Sequence, residues 1–267
     1  MSKVAAIINS LDEASNIKDY IDAYLVPLKD LSINYINTFS LKEIEAITKF
    51  DKEVFIVINK NIHNNELSLL EQSLKEVDKL KVNGIIFYDV AIVNIKNKLG
   101  LQTPLVWNQE HLSTNYGTVN YWYKKGIEYA YLSSELTKRE IDEIQKNTKA
   151  KLFVNVFGYI PMFTSRRHLI QNYLDTFNLH SKNKNTIRKE GKSYPINDTN
   201  LGTTVYSNYI LNAVDIDFSN IDYLVFNSNL IDETDFQNVL KNYQKHKENK
   251  FPKETGFLYK ETIYKVK

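Results

Sequence analysis

Cysteine is absent from this chain of 267 residues, and glycine and proline are scarce, at 8 and 5 residues. The absence of cysteine excludes disulfide bonds, a cysteine nucleophile, and any zinc or iron–sulfur site ligated by the chain's own thiolates. No apolar run approaches the roughly 20 residues that a membrane-spanning helix needs. The net charge is only +2, so no overall field marks a nucleic-acid or membrane binder. We expect a cytoplasmic protein that begins with a strand and not with a signal peptide.

The chain instead alternates apolar strands with amphipathic helices. Continuous β-branched runs are typical of buried parallel strands, and leucines spaced by three and four residues are typical of amphipathic helices. Capping boxes of the form Ser/Thr-x-x-Glu precede helices at Leu41 and Lys138. The predicted strands are 3–8, 24–28, 53–58, 84–88, 103–107, 128–132, 151–156 and 223–226. The predicted helices are 12–20, 41–49, 66–80, 91–99, 114–125, 138–147, a seventh ending near 177, and 232–246.

This alternation favours a single α/β domain over residues 1–267, built as a TIM-type (β/α)8 barrel. An open, doubly wound sheet is the competing architecture. Turn signals at Glu190-Gly191 and at 198–202 break the alternation, so residues 179–214 are predicted to form a loop-rich β insertion between helix seven and strand eight. The C-terminal tail is predicted to add one more strand.

Polar residues follow most of the predicted strands, at the face where ligands bind in barrels of this type. We predict that Glu110 and Glu135 act there as acid–base or ligand-orienting carboxylates. The predicted substrate-binding residues are Lys29, Asn59, Asp89, Asn108, Asn115, Tyr159, Arg166 and Arg167. Such a mixture of carboxylates, amides and cations suits a peptide or another polar or anionic ligand.

Several of these residues have a second interpretation. Carboxylates near helix starts are favoured by the helix dipole, which could account for Glu135, and Asp89 could cap the fourth helix. Cations are unfavourable at a helix start, so Arg166 and Arg167 indicate either an anionic partner or two solvated side chains.

Motifs for the common catalytic and cofactor sites are missing. The sequence contains no HExxH, G-x-S-x-G, P-loop or GxGxxG pattern. His111 and His168 both fall near the proposed face, where a site of two histidines and one carboxylate is conceivable without any supporting spacing. A serine triad would have to use Ser134 or Ser165, again without a supporting motif. We expect no metal and no cofactor.

The insertion is basic and rich in tyrosine. Charge and base stacking would suit it to RNA, whereas a solvated flap over the barrel mouth is the simpler explanation. The residues concerned are Lys182, Lys184, Arg188, Lys189, Lys192, Tyr194, Tyr206 and Tyr209.

Three segments read SSELTKREIDEIQ, VNVFGYIPMFTSRRHLIQNYL and YPINDTNLGTTVYSNYILNAV. They resemble the U-32 peptidase family, whose members are also described as collagenase-like proteases. Glu135, Gly158 and the stretch 201–203 match the family pattern best. The resemblance extends over nearly the whole chain and implies a TIM-barrel-like fold and a hydrolase of the peptidase type, without a defined catalytic mechanism.

Other branches of that family are similar to proteins needed for oxygen-independent hydroxylation of tRNA, rRNA or quinone precursors, and they carry four cysteines that ligate an iron–sulfur cluster. This chain resembles the short, cysteine-free branch. It has Gly158 to Met162 and His168 about where cysteines would stand. The resemblance therefore implies a peptidase or, alternatively, a non-catalytic or accessory RNA-binding or RNA-modification protein without the cluster.

Overall fold

Eight parallel strands close into a barrel in the computed structural model, which describes residues 2–180 and 185–260. The barrel strands are β1 (Lys3–Ile7), β2 (Ala23–Pro27), β3 (Glu53–Ile58), β4 (Gly84–Phe87), β5 (Leu105–Trp107), β6 (Tyr129–Tyr131), β7 (Lys151–Ser165) and β11 (Tyr223–Asn227). Three further strands lie between β7 and β11 in sequence, namely β8 (Asn185–Lys189), β9 (Lys192–Thr199) and β10 (Gly202–Asn212). Strands β1 to β7 pair in order, and β11 pairs in parallel with both β1 and β7. This closure confirms the predicted (β/α)8 barrel and excludes the open sheet.

The helices of the described residues are found close to their predicted bounds. They are α1 (Leu11–Ile17), α2 (Leu41–Ile47), α3 (Leu67–Lys79), α4 (Ala91–Leu99), α5 (Tyr116–Lys124), α6 (Lys138–Lys146), α7 (Leu169–Thr176) and α8 (Glu233–Gln244). Both predicted capping boxes form, Ser40 with Glu43 before α2 and Thr137 with Glu140 before α6. The apolar faces of these helices, α7 excepted, bury against the outside of the barrel.

Aromatic rings fill the part of the barrel interior that lies towards the amino ends of the strands. Phe153 and Tyr223 stack with centroids 4.1 Å apart and planes 3° from parallel. Phe55 meets Phe153 edge-on at 5.1 Å. Small residues on the first two strands, Ala5 and Ala23, leave the space that these rings occupy. The interior is therefore packed towards the amino ends of the strands, and an open cavity lies at their carboxyl ends.

Strand β7 is longer than predicted, because a second partner continues its pairing. Its parallel pairing with β11 ends at Phe157. From there to Ser165 it pairs with the antiparallel strand β10, which pairs in turn with β9, and β9 with β8. We call the outer part of β7, from 158 to 165, together with β8, β9 and β10 the extension. The expected β insertion is thus confirmed as an antiparallel sheet that grows from a barrel strand.

Helix α7 packs on the extension and buries no residue of its own. The Leu169 backbone N–H donates to Thr203 Oγ1 at 2.8 Å, and the Gln171 backbone N–H donates to Asp198 Oδ2 at 3.1 Å. The seventh helix therefore forms as predicted, but these contacts fix it to β9 and β10.

Two glycines are required where the extension leaves the barrel and turns back. At Gly158, with φ +118°, a Cβ atom would lie 2.4 Å from the Asn227 carbonyl oxygen. At Gly202, with φ +129°, it would lie 2.0 Å from the Ser165 carbonyl oxygen. Both distances are far below van der Waals contact, and L side chains rarely adopt such φ values. Only glycine fits at these two positions.

The predicted C-terminal strand is wrong where the structure describes it. Residues 256–259 form turns, and Glu254 makes one isolated bridge to Asn212 on β10. Residues 261–267 lie outside the described residues, as do Lys182 and Lys184 of the insertion. Within the described residues, no helix combines the length and the apolar character needed to cross a bilayer.

A carboxyl group is buried at the end of β1. Glu13 is 2% exposed. Its Oε2 accepts hydrogen bonds from the Asn9 backbone N–H at 2.5 Å and from Ser228 Oγ at 3.2 Å. Burial outweighs these hydrogen bonds and raises the pKa of Glu13 to about 7. Glu13 therefore keeps its proton to a higher pH in the folded protein than in the unfolded chain.

We expect the free energy of unfolding to fall as pH rises from about 4.5 to about 7, because the unfolded chain loses the Glu13 proton in this window while the folded protein keeps it. The full effect amounts to about 3 kcal/mol. Glu13→Gln should remove this fall, measured by urea unfolding at several pH values. Glu45→Gln, on the exposed side of α2, serves as the control. Identical pH profiles for wild type and Glu13→Gln would contradict the assignment.

Candidate functional site

A ring of polar side chains stands at the carboxyl ends of six barrel strands. Each lies two residues after the last inward-facing apolar residue of its strand, as in Val57 to Asn59 and Val106 to Asn108. Because side chains alternate along a strand, these residues also face inward. The ring consists of Asn59, Tyr88, Asn108, Ser133, Asn155 and Asn227, and all six line one cavity.

That cavity has a volume of about 430 Å³ and opens at the barrel mouth. Its floor is formed by apolar side chains such as Ile86 and Val57. The structure brings six of the predicted site residues together in its walls. They are Asn59, Asn108, Glu110, Glu135, Tyr159 and Arg166. Their catalytic and binding roles stay predictions.

The other four predicted residues do not line this cavity. Lys29 lies in a separate shallow groove near Ser40. Asp89 accepts hydrogen bonds from the backbone N–H groups of Ile62 and Ala91, the second of them at the start of α4. Asn115 is the N-cap of α5, accepting from the Thr118 backbone N–H. Arg167 is exposed. Hydrogen bonds to nearby backbone N–H groups therefore explain why polar side chains stand at positions 89 and 115.

Glu110 is held in the cavity by Asn34, a residue of the loop between β2 and α2. Asn34 Nδ2 donates to Glu110 Oε1 at 3.1 Å. Burial raises the pKa of Glu110, while the electrostatic interaction with His111 and hydrogen bonds from Asn59 and Asn34 act in the opposite direction. A carboxyl group with a raised pKa can give or take a proton nearer to neutral pH than an ordinary glutamate.

Both partners of this hydrogen bond have left-handed backbone conformations. Asn34 has φ +71° and Glu110 has φ +46°. Asparagine tolerates this region well, whereas for glutamate it costs about 1 kcal/mol. Such strain persists where surrounding contacts fix the residue, and it is concentrated at functional sites.

Asn34 also ties the loop to the extension. Its Oδ1 accepts hydrogen bonds from Thr164 Oγ1 at 2.5 Å and from Thr204 Oγ1 at 3.1 Å. Its carbonyl oxygen accepts from the Tyr206 hydroxyl at 3.1 Å and from Asn229 Nδ2 at 3.2 Å. One buried residue thus connects the cavity carboxylate and the extension through its side chain, and the loop after β11 through its backbone carbonyl.

Tyrosines surround the same carboxylate. Burial and the nearby Glu110 charge raise the pKa of Tyr35, and burial, Tyr35 and Glu110 raise that of Tyr131. Both therefore remain neutral O–H groups. The Tyr131 hydroxyl donates to Asn155 Oδ1 at 2.6 Å, and Asn155 Nδ2 donates to Ser134 Oγ at 2.7 Å. This chain of hydrogen bonds fixes the orientation of the Asn155 amide.

At the rim, two cations share one carboxylate. Lys60 Nζ lies 2.6 Å from Glu66 Oε1, and Arg166 Nη2 lies 3.1 Å from the same oxygen. Burial opposes ionisation of Glu66, but hydrogen bonds from Lys60, the His63 backbone and Arg166 lower its pKa to about 2. The predicted cation Arg166 is therefore engaged in an ion pair that brings the end of β7 to the start of α3.

A cysteine-ligated cluster does not fit the residues present. Where the family resemblance expects a cysteine, near Gly158, even a Cβ atom would collide with Asn227. In the described part of the chain, no group of three or more His, Cys, Asp or Glu side chains is placed to hold a metal ion. His111 lines the cavity, whereas His168 is exposed at the start of α7 and does not line the cavity.

Several residues that line or support the site were not among the predicted site residues. Tyr88, Tyr131 and Asn155 continue the inward-facing positions of their strands, so strict period-two counting would have found them. Asn34 and Tyr35 lie in the loop between β2 and α2, and nothing in the sequence marks that loop as covering the barrel mouth.

Loss of the Asn34 side chain should destabilise the protein strongly. Asn34→Gly removes three side-chain hydrogen bonds and should cost about 3 kcal/mol in the free energy of unfolding. Asn34→Ala should cost about 1 kcal/mol more, because alanine disfavours φ +71°. Urea unfolding measures both. Asn37→Gly, which removes one exposed hydrogen bond to the Asn9 carbonyl, is the matched control. An alanine variant as stable as the wild type would contradict this role.

Known proteins resemble the chain in sequence and in fold. It is 28% identical over 198 residues to tRNA hydroxylation protein P2 of Bacillus subtilis (strain 168), covering 69% of this chain and 64% of that protein. It is 26% identical over 125 residues to tRNA hydroxylation protein P of Escherichia coli (strain K12), covering 46% and 28%. The matched region thus spans less than two thirds of either relative.

The solved structure of the U32 peptidase Mk0906 superposes with a TM-score of 0.58 and 11% identity, covering 85% of this chain and 92% of that one. At this identity the likeness shows a shared fold alone. Residues 12–246 match the model of peptidase family U32. Because this match takes in most of the chain, the chain belongs to peptidase family U32.

Proposed function

We propose that this protein takes part in the hydroxylation of tRNA, and that its barrel cavity binds a polar reactant of that process. The names of the two bacterial relatives support the proposal. The observation that carries it furthest is the cavity itself, where Glu110 is held by Asn34 among amide and hydroxyl groups. Such a site suits orientation of a polar ligand and transfer of a proton.

A peptidase mechanism finds less support in the same cavity. Serine and cysteine peptidases need a nucleophile within hydrogen-bond reach of a base. Ser134 Oγ accepts a hydrogen bond from the Asn155 amide. Ser133 Oγ accepts from the Glu135 backbone N–H. Among the described residues, neither serine has a histidine as a hydrogen-bond partner, so we favour RNA modification over the peptidase prediction.

The roles within the proposed site follow from position. Glu110, with its raised pKa, is the acid–base group. Glu135 lies at the wall of the cavity and orients the ligand together with Asn108 and the Tyr159 hydroxyl. Since the chain has no cysteine, we assign to it binding and proton transfer only. Any iron–sulfur chemistry would be supplied from outside these 267 residues. A tRNA substrate would place this function in the cytoplasm.

Deleting the gene in its host should remove hydroxylated nucleosides from bulk tRNA, measured by liquid chromatography and mass spectrometry. A plasmid copy should restore them, whereas a Glu110→Gln copy should restore less than a tenth of the wild-type level. Glu135→Gln should also lower the level, with an unchanged melting temperature because its side chain is exposed. Unchanged nucleosides in the deletion strain would refute the proposal.

Two controls separate the alternatives. Tyr121→Ala, on the exposed face of α5 and away from the cavity, should restore the nucleosides fully. The purified protein should not cleave gelatin or casein, with or without a chelator. Cleavage that Glu110→Gln abolishes would instead favour the peptidase function.

A further inference from the structure

The extension and α7 carry an unusual share of the exposed apolar side chains in the described part of the chain. Large exposed apolar residues grouped on one part of a protein commonly mark an interaction site. We call this group the aromatic platform. It consists of Met162, Phe163, Leu169, Tyr173, Phe177, Leu179 and Ile187.

The two rings on α7 form the most regular part of the platform. Tyr173 and Phe177 are 57% and 59% exposed, and their centroids lie 4.8 Å apart. Their spacing of one helical turn places both on one face of α7. Neither ring is needed for the core, because α7 buries no residue. Two neighbouring solvent-facing rings provide surfaces on which unpaired bases can stack.

Positive charge accompanies the platform. Residues 162–199 contain seven Lys and Arg against three Asp and Glu, a net charge of +4, whereas the whole chain carries +2. Arg167, Arg188, Lys189 and Lys192 are exposed. Among the described residues, none of these four cations lies within ion-pair distance of a carboxylate. The surplus of positive charge is therefore confined to this part of the chain, where it is accessible to an anionic partner.

The platform leads to the cavity. Met162 and Phe163, 59% and 53% exposed, also line the cavity rim, and so does Arg166. The platform and the cavity rim therefore share Met162 and Phe163.

We infer that the aromatic platform binds single-stranded RNA, with bases on Tyr173 and Phe177 and phosphates on Arg167, Arg188, Lys189 and Lys192. Exposed rings and unpaired cations carried by the same part of a protein are the combination by which proteins hold unpaired nucleotides. A protein partner would use the apolar side chains but leave the local charge surplus without a role. The inference builds on the proposed function, since it assigns the surface that presents RNA to the cavity.

The test is fluorescence anisotropy with a labelled RNA stem–loop, compared with a blunt RNA duplex, over a series of salt concentrations. The wild type should bind the stem–loop more tightly than the duplex. Tyr173→Ala/Phe177→Ala should weaken stem–loop binding at least about tenfold. Arg188→Gln/Lys189→Gln should weaken it as well and make the salt dependence shallower, by about 0.7 in log–log slope per lost phosphate contact.

The matched control is Tyr121→Ala/Lys125→Gln on α5, where a lysine also lies over an exposed ring, 5.8 Å from its centroid. It should bind RNA as the wild type does. Circular dichroism and melting temperature should be unchanged in all three double variants, because every altered side chain is exposed. Equal losses in platform and control variants would overturn the inference, as would no binding at low salt.

Sedimentation of the same variants tests the protein alternative. A wild-type dimer that Tyr173→Ala/Phe177→Ala converts to monomer, with RNA binding unchanged, would make the platform a self-association surface and overturn the inference. The proposed function is tested by a separate measurement, the tRNA nucleosides of the deletion strain, so its failure can be distinguished from failure of the inference. A platform that binds no RNA would leave that result untouched.

Discussion

The double pairing of β7 is the constraint on which the rest of the molecule depends. One edge of this strand closes the barrel against β11 up to Phe157 and then accepts β10 as an antiparallel partner. The change of partner occurs at Gly158, where Asn227 leaves no room for a side chain. Because a single strand serves both sheets, the extension is fixed in direction relative to the barrel mouth. The rim of the cavity is therefore built by barrel and extension together.

The site itself is assembled from short contacts between distant parts of the chain. Asn34 joins the loop after β2 to Glu110, to Thr164 and to Thr204. A buried amide suits this position because it can donate to a carboxylate and accept from two hydroxyls at once. Its left-handed backbone conformation turns the loop inward over the barrel. The backbone geometry and the hydrogen bonds of Asn34 therefore both favour this position of the loop.

The barrel was predictable because its signals are local. Continuous β-branched strands such as β3, leucine spacing in α3 and the capping boxes at Ser40 and Thr137 all depend on neighbours in sequence. The polar positions Asn59, Asn108 and Glu110 were predictable for the same reason, since they directly follow apolar strands. Asp89 and Asn115 resemble them in sequence, but hydrogen bonds to helix starts occupy their side chains.

What the sequence did not predict depends on pairing at long range. The length of β7 is set by its pairing with β10, which lies some fifty residues later. No pattern within residues 151–165 predicts that the strand continues past the barrel. The position of α7 depends on Thr203 and Asp198, which lie within the insertion, on β10 and β9. Asn34 and Tyr35 reach the cavity only because the barrel is closed. These features are therefore determined by tertiary contacts, for which the local sequence gives no signal.

The hydrogen bonds of Asn34 have a consequence for energetic coupling between the two surfaces. The same side chain contacts Glu110 in the cavity and the two threonines of the extension, so the two regions share one set of contacts. A ligand that favours one arrangement of the Asn34 side chain would thereby also favour one arrangement of its hydrogen bonds to Thr164 and Thr204 of the extension. By thermodynamic reciprocity, whatever holds the extension changes the affinity of the cavity by the same factor. Occupancy at the barrel mouth and occupancy on the outer sheet would then be cooperative.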